Sequence, residues 1–236
     1  MRLDMNTSRK CGILSLIISA PMTSLTGAAH LLEQPPPSVT NSVAVAGLSA
    51  PKSTIWQDGV GSGFLGSAQN LTIEAGVAAG MASLGSHQPH DMALVSASYG
   101  HILGGVVGGD HWYRGNFEGR MELFGGMQYH PDVDTDGWLI GLTPHLRYNF
   151  ATGTRWIPFV DGGAGVTAMG IGPPDVSGTF EFNLQGSVGV HWFLCDNLAL
   201  TADTRYIHYS CAGIHQPNSG INNITFMLGV TWFFGK

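Results

Sequence analysis

A chain of 236 residues is long enough for one domain with a sizeable core. Charged residues make up 11% of it, against about 25% in an average soluble domain, while glycine, at 34 residues, has about twice its usual share. This composition argues against a charged soluble globule. The formal net charge of −6, with no run of Lys or Arg, excludes a nucleic-acid binder, whose phosphate contacts need clustered cations.

The N-terminus has the layout of a signal peptide. Arg2, Arg9 and Lys10 form a positive region, Cys11 to Met22 is an apolar stretch too short to span a bilayer as a helix, and Gly27, Ala28 and Ala29 offer small residues for cleavage. The sequence thus predicts a removable segment over residues 1–29. A poorly ordered periplasmic linker is predicted over 30–69, where Pro35 to Pro37 interrupt hydrogen bonding and Ser, Gly and Asn dominate. Gly61 to Gly66 matches G-x-G-x-x-G, but no strand leads into it and no helix follows, so it carries no dinucleotide-binding expectation. No later apolar run reaches the roughly 18 residues of a transmembrane helix.

Residues 70–236 are predicted to form an all-β domain. From residue 70 onward apolar and polar residues alternate with period two, and turn residues recur at regular intervals, predicting strands near 70–83, 91–106, 116–129, 136–150, 156–169, 179–194, 197–210 and 221–234. In the third, Phe117, Met121, Leu123 and Met127 oppose Glu118, Arg120, Glu122 and Gln128. In the sixth, Phe180, Phe182, Leu184, Val188, Val190 and Trp192 oppose Glu181, Asn183, Gln185 and His191. In the eighth, Ile224, Phe226, Leu228, Val230, Trp232 and Phe234 oppose Asn223, Thr225 and Thr231.

A soluble lipocalin-like barrel would turn the apolar stripes inward, and a membrane barrel turns them outward. Strand length favours the membrane. The predicted strands exceed the 5–6 residues usual in soluble sheets and cover the 9–11 needed in hydrocarbon. Trp112, Tyr113, Tyr129, Trp138, Tyr148, Trp156, Trp192 and Trp232 fall near strand ends, as interfacial girdles require. Charges of both signs on the polar face suit a small lumen filled by paired side chains. The expectation is an eight-stranded antiparallel transmembrane β-barrel, an up-and-down meander in the bacterial outer membrane. The connections after odd strands would face outside. Cys195 and Cys211 sit at opposite ends of the seventh strand, beyond disulfide reach of each other, and are expected to be free.

On that seventh strand His208 and Ser210 leave the same face, which parity assigns to lipid with Leu198, Leu200, Ala202 and Tyr206. Asn222 shares the parity of the outward residues of the eighth strand and falls roughly opposite His208. A hydroxyl, an imidazole and a group to orient the imidazole are the parts of a nucleophilic hydrolase. Polar residues are also common where strands reach head groups, so position alone leaves both readings open.

The segment Arg205-Tyr-Ile-His-Tyr-Ser-Cys-Ala-Gly-Ile-His-Gln-Pro-Asn-Ser-Gly-Ile-Asn222 resembles the signature of the lipid A 3-O-deacylase (PagL-like, acyloxyacyl hydrolase) family, approximately His-x-Ser-Asn-Ala-Gly and then Pro-Asn-x-Gly-Ile-Glu. Residues 114–124 and 189–197 are similar to its wider membership. The resemblance implies an eight-stranded outer-membrane barrel that hydrolyses the 3-position acyl ester of lipid A with a Ser-His-Glu triad on its outer surface. It makes His208 the general base and Ser210 the nucleophile. Asn222 stands where the family has Glu, and Cys211 where it has an Asn implicated in the oxyanion hole. A backbone donor at Cys211, Ala212 or Gly213 would serve that role here. The expected partners are lipid A or lipopolysaccharide and membrane lipids, with no nucleic acid, no cofactor and no metal, and a homodimer is left open. The alternative is a non-catalytic barrel, structural or lipid-binding, that has lost the triad carboxylate. His87, His90, Asp91, His130, Asp132, Asp134 and Asp136 cluster in predicted outer loops, where acidic turns either bind divalent cations or are simply solvated. His101 and His111 have no evident partners in the pattern.

Overall fold

The computed structural model describes residues 66–83, 85–129 and 137–234. The segments expected as signal peptide and as most of the linker lie outside the described residues. So do Gly61 to Leu65 and the acidic run 130–136.

The period-two segments are strands, and each hydrogen-bonds to its sequence neighbours. They are β1 (Gln69–Gly80), β2 (Met92–Val107), β3 (Gly115–Gln128), β4 (Trp138–Phe150), β5 (Trp156–Met169), β6 (Phe180–Cys195), β7 (Leu198–Ser210) and β8 (Ile221–Phe234). All neighbours are antiparallel, and β8 returns to pair with β1, so the sheet closes in the order β1 to β8. Closure leaves no strand edge with unpaired backbone groups, the condition for spanning a bilayer with β-structure. Among the described residues, the longer connections 170–179 and 211–220 lie at one end with the outer ends of β1 and β2, and the shorter ones, 108–114, 151–155 and 196–197, lie at the other. In an outer-membrane barrel the long end is extracellular.

The apolar stripes point outward. Phe226 is 57% exposed, Leu200 and Trp232 are half-exposed, and Ile73, Val95, Leu123, Ile140, Leu184 and Leu228 are exposed likewise. The polar stripes are buried in the lumen, where charges pair. Asp161 bridges Arg120 (2.9 Å), Arg147 (3.0 Å) and His145 (2.6 Å), and Arg205 contacts Glu122 (2.7 Å) and Asp203 (3.0 Å). Removing one partner from such a buried pair costs about 3–5 kcal/mol, because the other charge is stranded. The lumen is not polar throughout. Inward residues at the long-loop end, among them Met92, Phe124, Leu139, Met169, Ile207, Tyr209 and Ile221, form an apolar layer, and Ile157, Phe193, Ala199 and Phe233 form a smaller one at the other end.

The first strand stops at Gly80, short of the predicted 83. At Gly80 the backbone packs too closely on His90 for a Cβ, and its amide donates to Asp91 Oδ1 (2.8 Å). Met81 still donates its amide to the carbonyl of Asn222 (2.8 Å), one further rung in the β1–β8 register, and the Ser83 carbonyl accepts from the Asn222 side chain. Cys211 is free and buried, as expected. Cys195 is not among the free cysteines, against expectation, and its Sγ lies 3.6 Å from Asn197 Oδ1.

Candidate active site

His208 and Ser210 sit on β7 with one residue between them, opposite Leu184 and Phe182 of β6, and His208 pairs in register with Asn222 of β8. Neighbours in their parity are the outward residues of β7, while Ile207 and Tyr209 between them are buried in the outer apolar layer. The barrel wall therefore carries an imidazole and a hydroxyl on its exterior, at the long-loop end. Both line an open groove of about 490 Å³ with Ala164, Gly165, Val166, Phe182, Asn183 and Leu184.

Asn222 has outward parity but is only 1% exposed, because residues 81–83 cover it. Its Oδ1 accepts from Tyr206 OH (2.6 Å) and lies 2.8 Å from His208 Nδ1, while its Nδ2 donates to the Ser83 carbonyl (2.7 Å). The Ser83 carbonyl can only accept, so it holds the amide nitrogen on its own side and the oxygen toward the imidazole. An oxygen that only accepts makes His208 Nδ1 the donor, and the neutral ring then carries its lone pair at Nε2. That is the tautomer required of a general base.

Ser210 Oγ accepts from the Ala212 amide (3.4 Å), and no hydrogen bond links it to His208 in this structure. Ala212 (φ 53°) and Gly213 (φ 83°) both adopt the left-handed conformation, turning the chain sharply just after the serine. The Cys211 amide is committed to Asn218 Oδ1 (3.0 Å), and its thiol contacts the His215 backbone. Of the three backbone groups expected to stabilise an oxyanion, those of Cys211 and Ala212 therefore already have partners. Gly220 (φ 79°) returns the loop to β8 directly against the imidazole, where a Cβ would lie 2.8 Å from His208 Cε1.

Glu181 and Asp203 do not reach the site. Glu181 is 0% exposed inside the barrel, and Asp203 is held by Arg205. His87 and His90 meet a carboxylate that periodicity did not single out. Asp175, buried in the 170–179 connection, accepts from the His87 amide (2.6 Å) and the Gln88 amide (3.1 Å), and lies 2.9 Å from His87 Nδ1 and 3.0 Å from His90 Nε2. Its own carbonyl accepts from Ser219 (2.8 Å) and Gly220 (3.1 Å). Three outer connections are thus clasped beside Asn222. The clasp hydrogen bonds hold the Asp175 carboxyl below its usual range, although burial opposes them. Among the described residues no three His, Cys, Asp or Glu side chains are placed to hold a metal ion. Tyr206, Ser83 and Asp175 were not assigned from sequence. Tyr206 had the one available signal, the shared outward parity two residues before His208.

A closed eight-stranded meander with an apolar exterior, a charged lumen and long loops at one end is an outer-membrane β-barrel. Residues 94–231 match the family described as lipid A 3-O-deacylase (PagL), and the chain belongs to that family. Among solved structures, the outer-membrane enzyme PagL aligns with a TM-score of 0.50 at 21% identity, over 67% of this chain and 97% of that one. Neisserial surface protein A (NspA) aligns with a TM-score of 0.50 at 18% identity, over 71% and 97%. At such identities the likeness concerns the fold, and the family match carries the activity. No curated protein matches the chain by sequence. Family and fold together put the chain in the bacterial outer membrane and in the class of lipid A deacylases, with lipid A of lipopolysaccharide as the substrate class.

Proposed function

We propose that the chain is a serine esterase that removes the 3-O-acyl chain of lipid A, with Ser210 as nucleophile, His208 as general base and the neutral Asn222 orienting the imidazole. The observation that carries this reading is the contact of 2.8 Å between His208 Nδ1 and an Asn222 oxygen held in place from two sides. The serine lies on the outward wall, where the acyl chains of an outer-leaflet lipid lie, and the Phe182–Leu184 groove beside it is apolar. In the reaction Ser210 Oγ attacks the ester carbonyl and its proton passes to His208 Nε2. The tetrahedral oxyanion is met by the amide of Ala212 or Gly213. Collapse breaks the bond to the sugar oxygen, which takes the proton from His208 and leaves as the free hydroxyl. Water, deprotonated by His208, then cleaves the acyl-serine and releases the fatty acid. Residues 1–29 act as the export signal and 30–69 as the periplasmic linker in this reading.

Asn222 cannot offset the imidazolium charge as a carboxylate does. Replacing the triad carboxylate by an amide lowers kcat by about 10⁴ in chymotrypsin-like proteases, where the wrong tautomer contributes. Here the tautomer is the right one, so the deficit is smaller. The absent carboxylate and the unmade Ser210–His208 hydrogen bond favour a second reading, a lipid-binding barrel without catalysis. Mass spectrometry of lipid A from an outer membrane carrying the protein separates the two. Wild type is expected to release one 3-hydroxyacyl chain, Ser210→Ala none, and Asn222→Asp at least tenfold more per unit time than wild type. Identical lipid A from wild type, Ser210→Ala and Asn222→Asp would leave the lipid-binding barrel.

A further inference from the structure

An amide can orient a histidine in two ways, and only one leaves a base. With its oxygen toward Nδ1, Asn222 takes the ring proton there and leaves Nε2 free. With its nitrogen toward Nδ1, it donates, forces the proton to Nε2 and removes the base from the side facing the serine. A carboxylate presents only acceptors and has no such ambiguity. Wherever an amide replaces the family's Glu, something else must choose its face.

We propose that the Ser83 carbonyl makes this choice and that Tyr206 is a positioning residue that holds the chosen oxygen against the imidazole, so that a buried neutral amide stands in for the carboxylate as the device that sets the His208 tautomer. Tyr206 and His208 project from the same face of β7, two residues apart, and both reach Asn222 Oδ1, at 2.6 and 2.8 Å. The oxygen's two lone pairs are then filled by two donors. On the opposite side Asn222 Nδ2 donates to Ser83 O (2.7 Å), which also accepts from the Ser86 amide (3.1 Å). Rotating the amide would set its oxygen against the Ser83 carbonyl and strand an acceptor at 1% exposure, a loss of about 1–3 kcal/mol. Tyr206 touches neither the serine nor the groove, so it acts only through Asn222. The tautomer assignment itself is independent of whether the site hydrolyses an ester, whereas its catalytic consequence rests on the esterase reading.

The test is nitrogen NMR of the full chain, folded in detergent micelles with ¹⁵N-labelled histidine, at alkaline pH. His208 is assigned by its disappearance in His208→Gln. Wild type is expected to show a pyrrole-like Nδ1 and a pyridine-like Nε2. Tyr206→Phe, which removes one hydroxyl and keeps the ring, is expected to keep this pattern, because the Ser83 carbonyl still fixes the amide's face. The same variant should lower kcat roughly three- to tenfold, on the scale of one neutral hydrogen bond, with KM little changed. Gel migration without boiling verifies that each variant is a folded barrel. A protonated Nε2 in wild type would overturn the assignment, and an unchanged kcat in Tyr206→Phe would remove Tyr206 from the device. Should wild type leave lipid A intact while the NMR pattern holds, the esterase reading falls and the positioning of the imidazole stands.

Discussion

At the scale of single residues, the site depends on how closely Gly220 approaches the imidazole. Its φ of 79° is left-handed, and a Cβ there would come within 2.8 Å of His208 Cε1 and 3.0 Å of the Tyr209 carbonyl. Left-handed backbone costs a non-glycine residue about 1–2 kcal/mol, and relief of the contact has to come from the ring. Gly220→Ala is therefore expected to lower kcat at least tenfold while the barrel stays folded, checked by lipid A hydrolysis in micelles beside unboiled gel migration. Full activity in that variant would mean that the ring position is irrelevant. Strand parity put His208, Ser210 and Asn222 on one outward face, and the register of β7 and β8 agrees, whereas the roles given to them came from the resemblance to the deacylase signature. Tyr206 shared that parity yet carried no signal of its role, since its partner is a side chain whose burial comes from residues 81–83.

At the scale of elements, the outer connections are ordered by one carboxylate. Asp175 draws the 81–91 and 211–220 segments together, and its carboxyl is held below the usual value of about 3.9. A group whose folded pKa is depressed contributes stability above its unfolded pKa, and that contribution is lost as pH falls through the folded one. The clasp is thus expected to be fully formed from neutral pH down to about pH 4 and to open only in stronger acid. Hydrogen exchange of residues 81–91 and 211–220 measures it. Asp175→Asn should raise exchange in both segments at pH 7 and leave the strand amides protected, and unchanged exchange in both would deny the clasp. Strand boundaries were readable to within two residues for seven of the strands, because alternation reports the pleat directly. The end of β1 was not, since Ala79 to Ser83 still look extended and only the contacts of Gly80 with His90 and Asp91 mark it. Loops carry no periodicity, so Asp175 and its histidines gave no sign of meeting.

At the scale of the whole molecule, an apolar exterior and a charged, paired lumen make one inverted core, and the residues proposed for catalysis lie on its outside. Long alternating strands, sparse charge and aromatic ends made that inversion legible. The apolar layers closing both ends of the lumen were missed, because Ile207, Tyr209 and Phe233 break the alternation where strands leave the charged middle. Lipid A that remains in its own leaflet can reach Ser210 only from the wall. The most direct measurement of that claim is covalent trapping of the purified barrel in micelles by a long-chain alkyl fluorophosphonate, read by mass spectrometry of its peptides. The account predicts one adduct, on Ser210, that is lost in His208→Gln and formed faster in Asn222→Asp. An unmodified Ser210, or equal labelling with and without His208, would contradict it.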